Sequence, residues 1–355
     1  MIFKPVTHYL TLLLVLFTFN LSAQNIIARV DTSFANIKHI EVRADFCKVD
    51  IGAISENGRV EFFGEISSEK KQYSRHSPYK FRYVVMGNKL KVWLEGHKRS
   101  GLREKRIMFK VPPQTNVSVR NRSGSIYAFG LRGDFTKLET RNGSIKAQYI
   151  NSRLAEFKSF SGSIKVENLN SAEVKFNSHS GSFKLTDAKV KKVIAKGHSG
   201  SQRWINVEGT IDVANHSSTI RVIGGKGNTR LKTHTGSIRV YDYVGNVYAR
   251  NYTGPIRLKN VHGTFDLNCN SGPIIGEGVL FMNKSKLHSS HSYIKMKLKN
   301  ELNKINYDLK SNHGSIRIGE DRFGKKCMLN RGGNIFVKAT SGSGNMFFEK
   351  YEQEK

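Results

Sequence analysis

This sequence is short of acid. Its 355 residues carry 28 Asp and Glu against 58 Lys and Arg, a formal net charge of +30. That imbalance argues against a neutral structural spacer and for anionic partners. Cysteine is scarce as well. Cys47, Cys269 and Cys327 are too few and too scattered for a disulfide scaffold. Cys269 falls among small inward residues and reads as a buried thiol, while a Cys47–Cys327 bridge stays open in an oxidising compartment. Apolar residues make up 38% of the chain, which is lean for a thick globular core but enough for a solenoid that buries a narrow internal stripe. After residue 23 no helix is predicted, and no stretch approaches the roughly 20 apolar residues of a membrane-spanning helix.

What the chain has in abundance is one phrase. Thr235-Gly236-Ser237-Ile238-Arg239-Val240 reads as a turn entering a strand, and its glycine recurs as Gly124, Gly143, Gly162, Gly181, Gly200, Gly254, Gly272, Gly314 and Gly342, with Ser218 and Ser292 in the same slot. The intervals are 18 or 19 residues up to Gly272, then 20, 22 and 28. Such a period is too short for a helix plus two strands and fits one coil of a parallel β-solenoid. Five residues before the glycine every copy is apolar, as in Leu138, Phe157 and Leu231. Two residues after it isoleucine dominates, and four after it stand residues such as Val166, Trp204 and Val240. Counting by twos from the first column misses the second, so the inside–outside alternation slips at the glycine, as at a corner where glycine supplies unusual backbone angles. Six residues after it, Gly130, Asn168, Asp187, Asn206, Gly224, Asp242, Asn260 and Gly278 mark a second corner of residues that tolerate the left-handed conformation. Serines beside the glycine are predicted to stack as a hydroxyl ladder.

The predicted architecture is all-β. Residues 1–23 read as a signal peptide: Lys4, an apolar run from Leu10 to Phe19, and Leu21-Ser22-Ala23 before Gln24. Residues 24–115 form a β capping region containing a hairpin at Gly87-Asn88, 116–345 the parallel β-solenoid, and 346–355 a C-terminal cap or tail in which Phe347 to Lys350 close the rod. Ile107-Met108-Phe109-Lys110-Val111-Pro112, a short strand, and then Ser123-Gly124-Ser125-Ile126 with its serial copies resemble the bacterial adhesin-like family of serine–glycine–acidic–hydrophobic β-strand repeats. The resemblance covers roughly residues 37–345 and implies an exported adhesin-like protein. Where relatives carry Asp after the glycine, this chain has Ser, or proline at Pro255 and Pro273, so no acidic or calcium-binding ladder is carried over.

Function is then sought in the outward columns. Three residues after the glycine, seven consecutive coils carry a cation: Lys146, Lys165, Lys184, Arg203, Arg221, Arg239 and Arg257, with Lys295 a further member if the Ser292 copy holds an extra residue. Four before it, Lys158, Lys196, Lys232 and Arg250 recur, with Glu139 the only acid. Two before it run Phe160, His179, His198, His216, His234 and Tyr252. Stacked like charges cost folding energy, about 1 kcal/mol per neighbouring pair in water, so the cation columns read as a polyanion-binding surface, with a merely solvated face as the alternative. The histidine column reads as a strip that stacks on sugars or bases and gains charge through about pH 6.5; a metal site and plain mutual stacking are its alternatives. No cofactor is called for, and no carboxylate cluster suggests catalysis. The expected protein is exported, periplasmic or at the cell surface. It binds an anionic polymer or cell-surface component: acidic polysaccharide, lipopolysaccharide or, without sequence specificity, DNA. A structural rod without ligand and a polysaccharide-active β-helix enzyme are the competing readings.

Overall fold

A computed structural model of the chain describes residues 25–68, 77–96 and 101–352; the segment read as a signal peptide lies outside them. The chain is all-β, a parallel β-solenoid of about ten turns with coils of about 19 residues. Equivalent positions of successive copies pair directly. Phe157 stands beside Leu138 and Phe176, and Ile145 beside Ile126 and Ile164. The apolar columns are therefore columns in space, and Leu138, Phe157, Ile145, Ile164, Trp204 and Val240 are all buried in one continuous core.

One coil shows how the sequence turns. Along the strand Ile145–Ser159, Ile145 and Ala147 point inward. Tyr149 then adopts φ +56°, Ile150 starts a second inward series, and Ala155, Phe157 and Ser159 supply a third. The same left-handed corner recurs at Asn168, Asp187, Asn206, Asp242 and Asn260, with φ between 52° and 55°, and at Gly130, Gly224 and Gly278. Short polar side chains and glycine lose little in this conformation; Tyr149 is the exception.

The first corner obeys a different rule from the one predicted. Among the phrase glycines only Gly236 and Gly254 have positive φ, at 134° and 109°. The others have ordinary angles, yet a β-carbon on Gly162 would overlap the carbonyl oxygen of Gly143, and one on Gly200 that of Gly181. Glycine is demanded there by the close approach of one coil's backbone to the next.

At both ends the coils do not stack in chain order. The strand His39–Arg43 lies between Lys89–Glu95 and Asn116–Asn121, and Lys48–Gly52 lies between Leu102–Lys110 and Ile126–Phe129. The first coil in sequence is thus the second in space. At the other end Ile335–Ser341 inserts between Ser285–Ser289 and Ile305–Ser311, while Met346–Lys350 inserts between Ile294–Leu298 and Ile316–Ile318. Two expectations change. The last copy of the phrase is centred on Gly344, which puts Ala339 and Met346 in its core slots. Phe347 and Phe348 are paired on both sides within the sheet, and Glu349 and Lys350 on one, so the segment is an inner strand and does not close the rod.

The closing is done by antiparallel strands. Lys80–Met86 pairs with Lys89–Glu95 through the Gly87-Asn88 turn, and Val60–Ser68 bridges Leu102–Lys110 to Asn25–Phe34. At the far end Lys326–Leu329 and Asp321–Phe323 run antiparallel to the outermost coil. A parallel solenoid cannot reverse by a tight turn, but a hairpin can, so antiparallel strands are the natural device for covering its open edge. Cys47, Cys269 and Cys327 are buried free thiols, so the Cys47–Cys327 bridge does not form.

Candidate anion-binding columns and groove

Because the coils pair residue for residue, an outward position repeated in sequence becomes a straight ladder. Lys146, Lys165, Lys184, Arg203, Arg221, Arg239 and Arg257 stand side by side in parallel register. Lys295 falls in the same column beside Ile275, because Tyr293 is the extra residue of its copy. The two ends of the ladder differ. Lys146 lies over the Tyr127 ring, 5.5 Å from its centroid, and Lys165 is held by Glu167 at 2.7 Å. From Lys184 to Arg257 no ion pair forms among the described residues. The neighbouring outward column there holds Thr186, Ile205, Ile223 and Tyr241, with no carboxylate. The Nε atoms of Arg221 and Arg239 are buried without a hydrogen-bond partner.

Across the glycine corner, Phe160, His179, His198, His216, His234 and Tyr252 form one continuous ring stack. Successive centroids are 4.7–5.2 Å apart and successive planes 1–12° from parallel. Arg141 extends it over the free face of Phe160, at 6.0 Å. This spacing is the coil rise itself. Since each ring face between Phe160 and Tyr252 is covered by the next ring, the strip offers ring edges, not faces. A sugar or base stacking on the strip would have to meet a ring face, and the free ones are at its two ends. Parallel rings also keep their nitrogens side by side instead of converging on one point, which is poor geometry for a tetrahedral metal. No group of three or more His, Cys, Asp or Glu is placed to hold a metal among the described residues. The four imidazole rings make no hydrogen bond among the described residues, and all four histidines are exposed.

Beside the stack runs a trough whose opposite wall is the other cation column. Its larger section, about 880 Å³, extends from Arg43 and Arg120 to Lys196 and His198; a second, about 380 Å³, continues past Lys232, His234 and Tyr252. Some cations on this wall are already neutralised. Glu139 is 3.5 Å from Arg120 and 3.3 Å from Lys158, and Arg250 is 2.9 Å from Asp266. Lys196 and Lys232 have no ion pair among the described residues.

The floor holds a series that the sequence reading missed. Three residues before the corner, the Ser159 hydroxyl accepts from the Gly162 amide at 2.9 Å and donates to the Gly143 carbonyl at 3.1 Å. Thr140 does the same with Gly143 and Gly124. In other coils Asn215, Asn251 and Cys269 donate to the Gly200, Gly236 and Gly254 carbonyls. Each such side chain ties its own corner to the coil beneath. The serines after the glycine were the predicted ladder, and a Ser144–Ser125 contact at 3.2 Å exists there, but the buried ties lie in this other column. Its signal was a column of Thr, Ser, Asn and Cys, small hydrogen-bonding side chains interrupted only by Gly197.

Comparison with known proteins follows the fold. The crystal structure of a putative adhesin from Parabacteroides distasonis is similar over 71% of this chain and 96% of its own, at 15% identity and a TM-score of 0.39. A putative cell adhesion protein from Clostridium sporogenes covers 91% of this chain and 99% of its own at 8% identity and TM-score 0.23. A putative adhesin from Bacteroides fragilis covers 90% and 96% at 9% identity and TM-score 0.24. No curated protein matches the chain. The family model described as Toastrack DUF4097 matches residues 38–242, more than half of the sequence, and the chain belongs to that family.

Proposed function

We propose that the protein is an exported, adhesin-like β-solenoid that binds a linear anionic polymer along the ladder from Lys184 to Arg257. One observation carries this reading: five consecutive cations stand in register without a carboxylate beside them. Aligning them costs electrostatic energy in the free protein. A surface meant only to stay soluble would interleave the two signs, as the Glu139 and Asp266 pairs do on the neighbouring face. A polymer carrying a negative charge at each step removes that repulsion over its whole length. The role is binding, and the ladder contains no acid–base pair that would cleave what it holds.

Salt titration tests the proposal. Five neutralised charges on a duplex DNA probe give a log–log slope of binding against salt of about −4 to −5. Replacing Arg203, Arg221 and Arg239 together by glutamate abolishes binding of duplex DNA and of polymers charged at every step. If this triple variant melts as the parent does and still binds at the parent's affinity, the ladder is not the site.

A further inference from the structure

The trough between the ring stack and the second cation column has a periodicity of its own. In successive coils its cationic wall reads Lys158, Asn177, Lys196, Ala214, Lys232 and then Arg250, with Lys158 held by Glu139 and Arg250 by Asp266. From Lys158 to Lys232 a lysine therefore stands on every second coil, about 10 Å apart, and the unpaired ones are Lys196 and Lys232, whereas on the Lys184–Arg257 ladder a cation stands on every coil. The facing wall, His179 to His234, does not alternate: each coil presents an exposed imidazole edge with no partner of its own. On the floor Ser159 and Asn215 are tied to backbone carbonyls of the coil beneath.

The geometry points to a second binding site in this trough for an acidic polysaccharide with one anionic group per disaccharide, and this rests on the trough's lining independently of the ladder. An extended sugar chain advances by about one coil rise per residue. Every second residue then meets a lysine, and the residue between meets Asn177 or Ala214. Imidazole edges, each able to donate and accept, suit the hydroxyls that every sugar carries. Ring faces are unavailable because they cover one another, so affinity comes from edge hydrogen bonds and the periodic charge. A chain charged at every sugar leaves half its carboxylates opposite Asn177 and Ala214. It also lies against Glu139 at the Arg120 end, where the wall is already neutralised.

Hyaluronan oligosaccharides, with one carboxylate per disaccharide, are the probe. Polygalacturonate oligosaccharides, charged at every sugar, and neutral maltodextrin of the same length are the comparisons. In isothermal titration the Arg203, Arg221 and Arg239 glutamate variant, whose ladder is silenced, binds hyaluronan best of the three. Replacing Lys158, Lys196 and Lys232 by alanine weakens it about tenfold or more, three surface charge contacts being worth about that much together. The Arg203, Arg221 and Arg239 glutamate variant keeps its hyaluronan affinity, which separates this site from the ladder. Asn177→Lys with Ala214→Lys, both at exposed positions, fills the neutral rungs and moves the preference to polygalacturonate. The inference is overturned if the lysine-to-alanine variant binds hyaluronan as the parent does. It is equally overturned if maltodextrin binds as well as hyaluronan, or if filling the rungs leaves the preference unchanged.

Discussion

The Ser311 hydroxyl donates to the carbonyl oxygen of Gly344 at 3.1 Å, reaching a residue 33 positions later in the chain. Ser341 in turn donates to the Ser292 carbonyl at 3.0 Å. These are the ties that elsewhere join a coil to the one before it, so the last coil in sequence is an inner layer in space. Deleting residues 331–355 removes that layer, including the buried Val337, Ala339, Met346 and Phe348. Loss of Phe348 alone is worth about 3–5 kcal/mol. The truncated protein is expected to lose order through the whole C-terminal end, in contrast to the loss of a dispensable tail. Hydrogen exchange over residues 285–318 checks this. Protection there equal to that of the full chain would show that the layer is not needed.

Corner glycines give a second prediction. Gly162→Ala places a methyl against the Gly143 backbone, where neither side can move without shifting a whole coil. A cost of about 2–3 kcal/mol follows, at the upper end for overpacking. Gly58 has φ +70° and open space around a β-carbon, so Gly58→Ala should cost about 1–2 kcal/mol, the ordinary penalty of a left-handed residue. Urea unfolding of both variants ranks them. The reverse order would return the corner to the dihedral explanation.

Much of this molecule could be read before folding because each coil reuses the same slots. Leu138, Phe157 and Phe176 share a column in sequence, and a parallel solenoid makes that column physical. The slip at the glycine was visible as a parity change. What could not be read was anything that leaves those slots equally filled. The segments around Leu309 and Ala339 both offer an apolar residue before a serine-rich corner, so pattern alone cannot say which stacks on Leu287; only pairing settles it. Gly342 and Gly344 compete for one corner for the same reason. At the candidate site the columns were legible as lists of residues, but the orientation of the rings was not. Their covered faces follow from the coil rise, which forces neighbouring rings at about 4.8 Å to lie parallel. Ion pairing was also hidden, since Asp266 reaches Arg250 from the adjacent coil.

The three thiols carry the last prediction. Burial pushes Cys47 up to about 12 and Cys269 to about 11 from the ordinary 9.0, and raises Cys327 as well. Their reactive thiolate forms are therefore suppressed near neutrality. An aromatic disulfide reagent at pH 8 should label none of the three in the folded protein and all three in denaturant. Because the folded values lie above the unfolded one, the folded chain holds protons that the unfolded chain releases between pH 9 and 12. Their contribution to stability is complete below pH 9 and is lost as pH rises. Cys269 also occupies the tie position, with its sulfur 3.1 Å from the Gly254 carbonyl. Cys269→Ser keeps a donor in that slot, as Ser159 does in its own coil, and should change stability by less than about 1 kcal/mol. Cys269→Val removes this donor while Asn251 still donates to the same carbonyl at 2.7 Å, so it should cost about 1 kcal/mol more than the serine, the worth of one hydrogen bond. Melting the two variants side by side decides the point, and equal losses would show that the sulfur is only filling space.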